Sequence, residues 1–204
     1  MTRRSDALRN DDRVLAAARE VFLEQGADAP VSAIAARAGV GMGTLYRRYP
    51  AKEDLMRELL KRNIVQTGEE AQRGLADPDP WHGFTAFVHA CLDAGLSGAP
   101  SPGKAFPVTD EILAASRAAR AQVQRLVTRA QSAGVLRSDI TAHDVVLLLT
   151  ELRGRPELDG MRPATLRGRT LGIVLDGLRA PNATPLPGPK PTWATIRKLW
   201  DNYR

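Results

Sequence analysis

The 204-residue chain contains one cysteine, Cys91, so it can close no internal disulfide and its fold must rest on core packing. Aromatic residues make up only 5% of it, which leaves Leu, Val, Ile and Ala to fill the interior. No uninterrupted apolar run approaches the ~20 residues that a bilayer-crossing helix needs. The opening MTRRSDALRNDDR has no apolar stretch behind its arginines and does not read as a secretory signal, so the expected location is cytoplasmic. Also missing is any sustained apolar/polar alternation of period two, the mark of a half-buried strand, and the expected fold is therefore all-α. Catalytic signatures are lacking too: there is no nucleophile elbow, phosphate-binding loop or HExxH. His82 and His89 lie seven apart with Asp93 one turn on, but Cys91 falls off that face and no second cluster completes a metal site. No catalytic residue, metal or cofactor is assigned, and the expectation is a non-enzyme.

What is present suits a folded protein with a polyanionic partner. Apolar residues make up 43% and charged residues 25%, enough to bury a sizeable core. The formal charge of +6 raises the surface potential toward nucleic acid or acidic membrane.

Helical periodicity runs through most of the chain. From Asp12 to Gly26, Val14, Ala17, Ala18, Val21 and Phe22 recur at three- and four-residue spacing, with Asp11 or Asp12 placed to cap the start and Gly26 to end it. A second helix is expected over Val31–Ala38, entered through Asp28 and Pro30 and closed by Gly39, and a short third over Gly43–Tyr49, stopped by Pro50. A long pattern then runs from Lys52 toward Leu75. After the breaker DPDP at 77 to 80, helices follow over about Trp81–Leu96, Asp110–Ala133, Thr141–Arg153 and Ala164–Arg179, with the stretch SGAPSPGKAFP between the first two read as a loop. TAHD at 141 to 144 has the form of a capping box. The boundaries drawn are 1–52, 53–180 and a proline-rich linker with a short amphipathic segment over 181–204. In that last piece Trp193, Ile196, Trp200 and Tyr203 share one face, expected to pack back on the chain's own body or to swap onto a partner subunit.

The stretch VGMGTLYRRYPAKEDL at 40 to 55 carries the most chemistry. Helices two and three are joined by a short glycine-containing turn, as a helix-turn-helix requires, and Val40 can plug the angle between them. With helix three in a major groove, Gly41 and Gly43 let the backbone approach the duplex. Thr44 and Tyr46 can donate to phosphate oxygens, Arg47 and Arg48 add charge or bidentate guanine contacts, and Lys52 opens the next helix near the DNA backbone. Leu45 and Tyr49 face the other way, toward Val21, Phe22 and Ile34. Ser32, at the start of helix two, can donate to a phosphate or sit in water. Arg3 and Arg4 suit a flexible arm along the minor groove or a disordered terminus.

The residues from about Asp12 to Leu55, with IAARAGV at 34 to 40 and GTLYRRYPAKEDL at 43 to 55, resemble the TetR/AcrR family of bacterial transcriptional regulators. The resemblance implies a homodimer with an N-terminal helix-turn-helix DNA-binding domain. It also implies a C-terminal helical domain that binds a ligand and dimerises through its last two helices. It puts Tyr46 and Lys52 on phosphates, Thr44 near phosphate or base, and Met42 and Arg47 at base edges, where Met42 offers an apolar contact suited to a thymine methyl. The chain departs from the family's usual pattern at Pro30, Arg48 and Tyr49, where threonine, histidine and phenylalanine are common.

Beyond Leu75 no motif is comparable. GIVLDGLRAP at 172 to 181 resembles the family's last body helix loosely. Gly168, Gly172 and Gly177 on it, with Val145, Leu148, Leu149 and Leu152 on the helix before, suit a four-helix dimer seam or an intramolecular core. Trp81, Phe84, Phe87, Val88, Cys91 and Phe106 are the candidate lining of a ligand cavity, with the loop around Lys104 as its gate. The function expected is a sequence-specific repressor on double-stranded DNA with a pseudo-palindromic operator, released by a small-molecule inducer. An architectural DNA binder without ligand, and a helical small-molecule-binding module without operator recognition, are the competing readings.

Overall fold

The computed structural model describes residues 2–96, 106–152, 163–181 and 184–202. Helices α1 (Thr2–Gln25), α2 (Val31–Ala38), α3 (Met42–Arg48) and the first half of α4 (Lys52–Ala76) form the N-terminal unit. The second half of α4 packs with α5 (Pro80–Asp93), α6 (Asp110–Ser132), α7 (Ala142–Glu151) and α8 (Pro163–Leu178), and α9 (Trp193–Asn202) lies against α7. Among the described residues there is no strand, only an isolated antiparallel bridge between Leu136 and Arg179. No helix is long and apolar enough to cross a membrane among the described residues.

The expected elements are all found, with one large shift of boundary. α1 begins at Thr2, well before Asp12, because no proline or glycine interrupts the chain between Thr2 and Gly26 and every residue there tolerates a helix. Asp11 and Asp12 therefore sit mid-helix rather than at a cap. Arg3 and Arg4 lie within the helix instead of in a flexible arm. At the other end Gly26 takes φ +79°, and its N–H bonds to Phe22 O at 3.0 Å.

The turn between α2 and α3 is Gly39–Val40–Gly41. Gly39 is left-handed at φ +65°, a conformation costly for any residue with a Cβ. Arg13 of α1 donates to Ala38 O at 2.7 Å, closing a carbonyl that the end of α2 leaves open.

Two apolar clusters hold the molecule. The first joins Val14, Ala18, Val21, Phe22, Ile34, Leu45, Tyr49, Leu55 and Leu59, with Val40 packed against it, and it also takes in Phe106 and Ile112. The core of the N-terminal unit thus runs past residue 52 into α4 and receives side chains from the start of α6. The second cluster joins Ala71 with Phe84, Phe87, Val88 and Cys91 of α5, Val123 and Val127 of α6, Val145 and Leu149 of α7, and Leu171 and Leu175 of α8. α4, roughly 37 Å long at 25 residues, is the rod common to both. Where α4 crosses α5, a Cβ on Gly74 would lie 2.5 Å from Gly83 O, so the crossing requires residues without side chains. Asp79 caps α5 by accepting from Trp81 N at 2.8 Å and His82 N at 3.1 Å.

The C-terminal segment lies against the rest of the chain. Arg137 binds Asp139 (2.6 and 2.9 Å), Gly177 O (3.1 Å) and Thr184 O, while Leu186 N donates to Asp139 at 3.0 Å. Ile196 is buried, and the Trp193 ring lies 3.5 Å from the Arg120 guanidinium. The Trp200 side chain and Tyr203 lie outside the described residues.

Candidate nucleic-acid interface

α3 hangs from the core by one side chain. Of its seven residues only Leu45 is buried, while Met42, Gly43, Thr44, Tyr46, Arg47 and Arg48 are exposed, as is Gly41 just before them. Exposure reaches 45% for Tyr46 and 36% for Met42, high for large apolar surfaces on a monomer and consistent with a face built for contact. Gly41 caps the helix in extended conformation at φ −70°, and its carbonyl accepts from Thr44 N (3.0 Å) and Leu45 N (3.1 Å). A Cβ at Gly41 or Gly43 would meet nothing within 4 Å. Neither backbone conformation nor internal packing demands a glycine at either position.

The remaining residues named from sequence, Ser32 and Lys52, open the two neighbouring helices. Ser32 is exposed in the first turn of α2, whose N-cap Pro30 supplies no side-chain bond to the helix amides. Lys52 is the first residue of α4 and half-buried, its ammonium 5.9 Å from the Phe22 ring centroid, close enough for a cation–π contact.

Arg48, read from sequence as a phosphate or guanine contact, has two of its nitrogens occupied. Its Nε and Nη2 donate to Asp11 at 2.9 and 3.0 Å, and Tyr49 Oη donates to the same carboxylate at 2.6 Å. Asp11 is 4% exposed. Burial, the largest influence, pushes its carboxyl upward, but bonds from Arg48 and Tyr49 and the charges of Arg48 and Arg62 outweigh it and hold Asp11 below the ordinary value. Burial and the bond to Asp11 push the Tyr49 phenol up, so it remains a donor. Sequence reasoning missed Asp11 as a site residue, because an Asp–Asp pair ahead of an apolar pattern resembles a helix start. The signal available was the simultaneous presence of Arg48 and Tyr49, one able to fork onto a carboxylate and the other to donate to it.

In the body, Trp81 is half-buried with its ring 6.0 Å from that of Phe84 and under the Arg179 guanidinium at 4.3 Å. Phe84, Phe87, Val88 and Cys91 are buried together in the second cluster, whereas Phe106 belongs to the first. The six residues grouped from sequence therefore do not line one space. Phe106 follows the Pro–Gly-rich stretch, and the chain returns there toward the N-terminal unit. Burial pushes the Cys91 thiol up, with the charge of Glu70 adding to it. Val145 and Leu149 are buried in their own chain's core, Leu148 and Leu152 half-buried against it, and Gly168 and Gly172 exposed on α8. Lys104 lies outside the described residues.

The family model for bacterial regulatory proteins of the tetR family matches residues 14–59, and that for the C-terminal domain of SbtR-like transcriptional regulators matches residues 79–180. The chain belongs to the TetR family of transcriptional regulators. It is a DNA-binding regulator. A TetR regulator from Streptomyces coelicolor is 30% identical, with 84% of this chain and 99% of that one covered at a TM-score of 0.61. Another from Mycobacterium vanbaalenii is also 30% identical, with 86% and 98% covered at 0.59. An HTH-type transcriptional regulator of Staphylococcus aureus is 37% identical over 62 residues, 30% of this chain and 34% of that protein. Within this TetR-family head, the residues at 48 and 49 bond the same carboxylate, that of Asp11. Residues 184–202, which hold the tail and α9, lie beyond both matched regions.

Proposed function

We propose that the protein is a repressor that binds a pseudo-palindromic operator as a homodimer and is released when a small molecule binds its helical body. The observation that carries this reading is α3: one buried anchor, a fully exposed remainder, and two glycines whose absent side chains the protein itself does not require. A duplex backbone pressed against Gly41 and Gly43 gives those glycines their reason. Tyr46, Thr44, Ser32 and Lys52 then take phosphates, while Met42 and Arg47 face base edges. Dimerisation uses α8, whose outward face carries Gly168, Gly172 and Ile173, the last 67% exposed, with Leu148 and Leu152 of α7 at its border.

Coupling between body and head has a physical route. Phe106 and Ile112 are part of the core that also holds Leu45. Arg19 of α1 donates to Asn63 Oδ1 of α4 (3.1 and 2.7 Å) and to Ala94 O at the end of α5 (2.9 Å). An effector that favours a body geometry in which α5 and α6 are displaced changes the spacing of the two reading heads, and it weakens operator binding only by its difference in affinity for the two states.

Selection from a random duplex library at near-physiological salt tests the reading, with a Tyr46→Ala, Arg47→Ala double variant beside the parent. An enriched inverted repeat that the variant fails to select is the expected result. Absence of enrichment, with binding that disappears as salt rises, would leave only charge-driven contact and overturn it.

A further inference from the structure

A side-chain cluster outside both the α3 face and the α5 aromatics is left without a structural explanation. It lies on the flank of α6 that faces α7 and the tail. Arg120 is half-buried there, its Nη1 is shielded from solvent and bonded to nothing, and no carboxylate of the described residues is in ion-pair range of it. The Trp193 ring covers its guanidinium at 3.5 Å. Burial and the neighbouring charge of Arg117 both disfavour its protonated form. One turn earlier on the same helix, Ser116 is 4% exposed and its Oγ also has no partner. Two polar atoms withdrawn from water on one flank, one of them on a cation, are left without a hydrogen bond, and the stack of the guanidinium on Trp193 offsets only part of that cost.

Helix geometry places these groups together. α6 meets α4 through Ala119, whose Cα would lie 3.2 Å from a Cβ on Gly68. At about 100° per residue, Ser116 and Arg120 lie about 60° and about 100° round from Ala119 on the same side. That is the side of Gln124, whose Oε1 accepts from Ala142 N at the start of α7. Burial and then the nearby Arg120 charge hold the imidazole of His143, the next residue of α7, below its ordinary value, against the pull of Asp144. The cluster is thus bounded by α6, α7 and α9, with Val123, Val127 and Val145 of the second core at its back.

We propose that Ser116, Arg120 and His143 form the head-group subsite for a carboxylate-bearing effector, with α9 and its Trp193 as the cover. The proposal rests on the reading of the chain as an effector-responsive regulator and supplies the chemistry of that effector. One carboxylate oxygen accepts from Arg120 Nη1 and the other from Ser116 Oγ, while the imidazole offers a further N–H. One cation without a counter-charge among the described residues and two neutral donors match a single negative charge better than a phosphate of about −2. The valines behind suit an apolar body on the ligand, and the cover is the segment that lies beyond the family's matched region.

The test is thermal unfolding of the full-length protein without DNA, with sodium benzoate titrated against sodium chloride of equal ionic strength. The expected result is a Tm increase of about 5 °C or more at a hundredfold excess over Kd, lost in Arg120→Met and in Ser116→Ala. In benzoate-free buffer Arg120→Met is expected to match or exceed the parent's Tm, because it removes a buried charge with no partner. A lower Tm for Arg120→Met, or equal benzoate shifts in parent and both variants, would show the arginine to be only a structural stack on Trp193 and overturn the proposal. Ser116→Ala provides the same comparison if Arg120→Met does not fold. A shift with inorganic phosphate but none with benzoate would overturn the carboxylate assignment. Operator selection and benzoate binding are separate readouts, so failure of one leaves the other standing.

Discussion

At the scale of the residue, a glycine that the protein does not need is as informative as a charge. Gly43 sits inside α3 with open space where its Cβ would be. Gly43→Ala is therefore expected to leave the thermal midpoint unchanged or raise it, since alanine is favoured in a helix by roughly 0.5–1 kcal/mol. Operator affinity measured by fluorescence anisotropy is expected to fall at least tenfold, and unchanged affinity would remove the glycine from the DNA interface. Asp11 makes the second prediction. Two donors of Arg48 are spent on it, which leaves Nη1 to address DNA from a fixed position. A double-mutant cycle of Asp11→Asn with Arg48→Ala, read as operator affinity, is expected to show coupling of about 1 kcal/mol or more. Additive losses would mean that Asp11 serves only the fold. Because Asp11 is held below its ordinary 3.8, its contribution to stability is present above that value and lost as pH falls through the lower folded one. Below about pH 3.8 the parent is expected to lose stability more steeply than Asp11→Asn in acid-unfolding curves. The exposure of residues 44, 46 and 47 was legible in the sequence because it follows from the single apolar anchor at Leu45. The Arg48 bond to Asp11 was not, because its partners are 37 residues apart and only folding brings them together.

At the scale of the element, spacing and caps determined most of the structure. Thr141 accepts from His143 N at 3.2 Å and Asp144 closes back on Thr141 N at 2.7 Å, the capping box expected from TAHD. Gly39, Gly26 and the Asp–Pro cluster end or begin helices where their backbone preferences require. The start of α1 was not legible, since a polar, charge-rich segment without breakers has no periodicity to reveal it. Gly74 and Gly83 gave no local sign of their role either, which arises only where two helices cross. A Cβ on Gly83 would meet the backbone of Gly74, a group that cannot move without bending α4. Gly83→Ala is expected to cost about 1–3 kcal/mol in denaturant unfolding, with loss of operator binding only in proportion to unfolding. An undiminished midpoint would show that the crossing can open freely.

At the scale of the whole molecule, the two clusters share α4, and the first draws Phe106 and Ile112 from the body. On the proposed reading, a change in the body reaches the N-terminal unit through these packed side chains. The proposed dimer seam is tested by Ile173→Glu, which places a charge on an exposed face of α8 at no expense to the core. Sedimentation is expected to show monomer with intact helicity and operator affinity reduced at least a hundredfold, since two linked heads bind more tightly than one. A dimer of undiminished stability would move the seam elsewhere. What the sequence determined by itself was the all-helical class, the helix-turn-helix and the exposed face of its second helix, because those follow from periodicity, caps and one buried anchor over about fifty residues. What only the tertiary structure decided was which distant groups meet: Arg48 with Asp11, Phe106 with the head, and Arg120 with Trp193, with no counter-charge among the described residues. Local preferences act along a few turns of chain, whereas these contacts depend on how helices cross, and no local pattern encodes that.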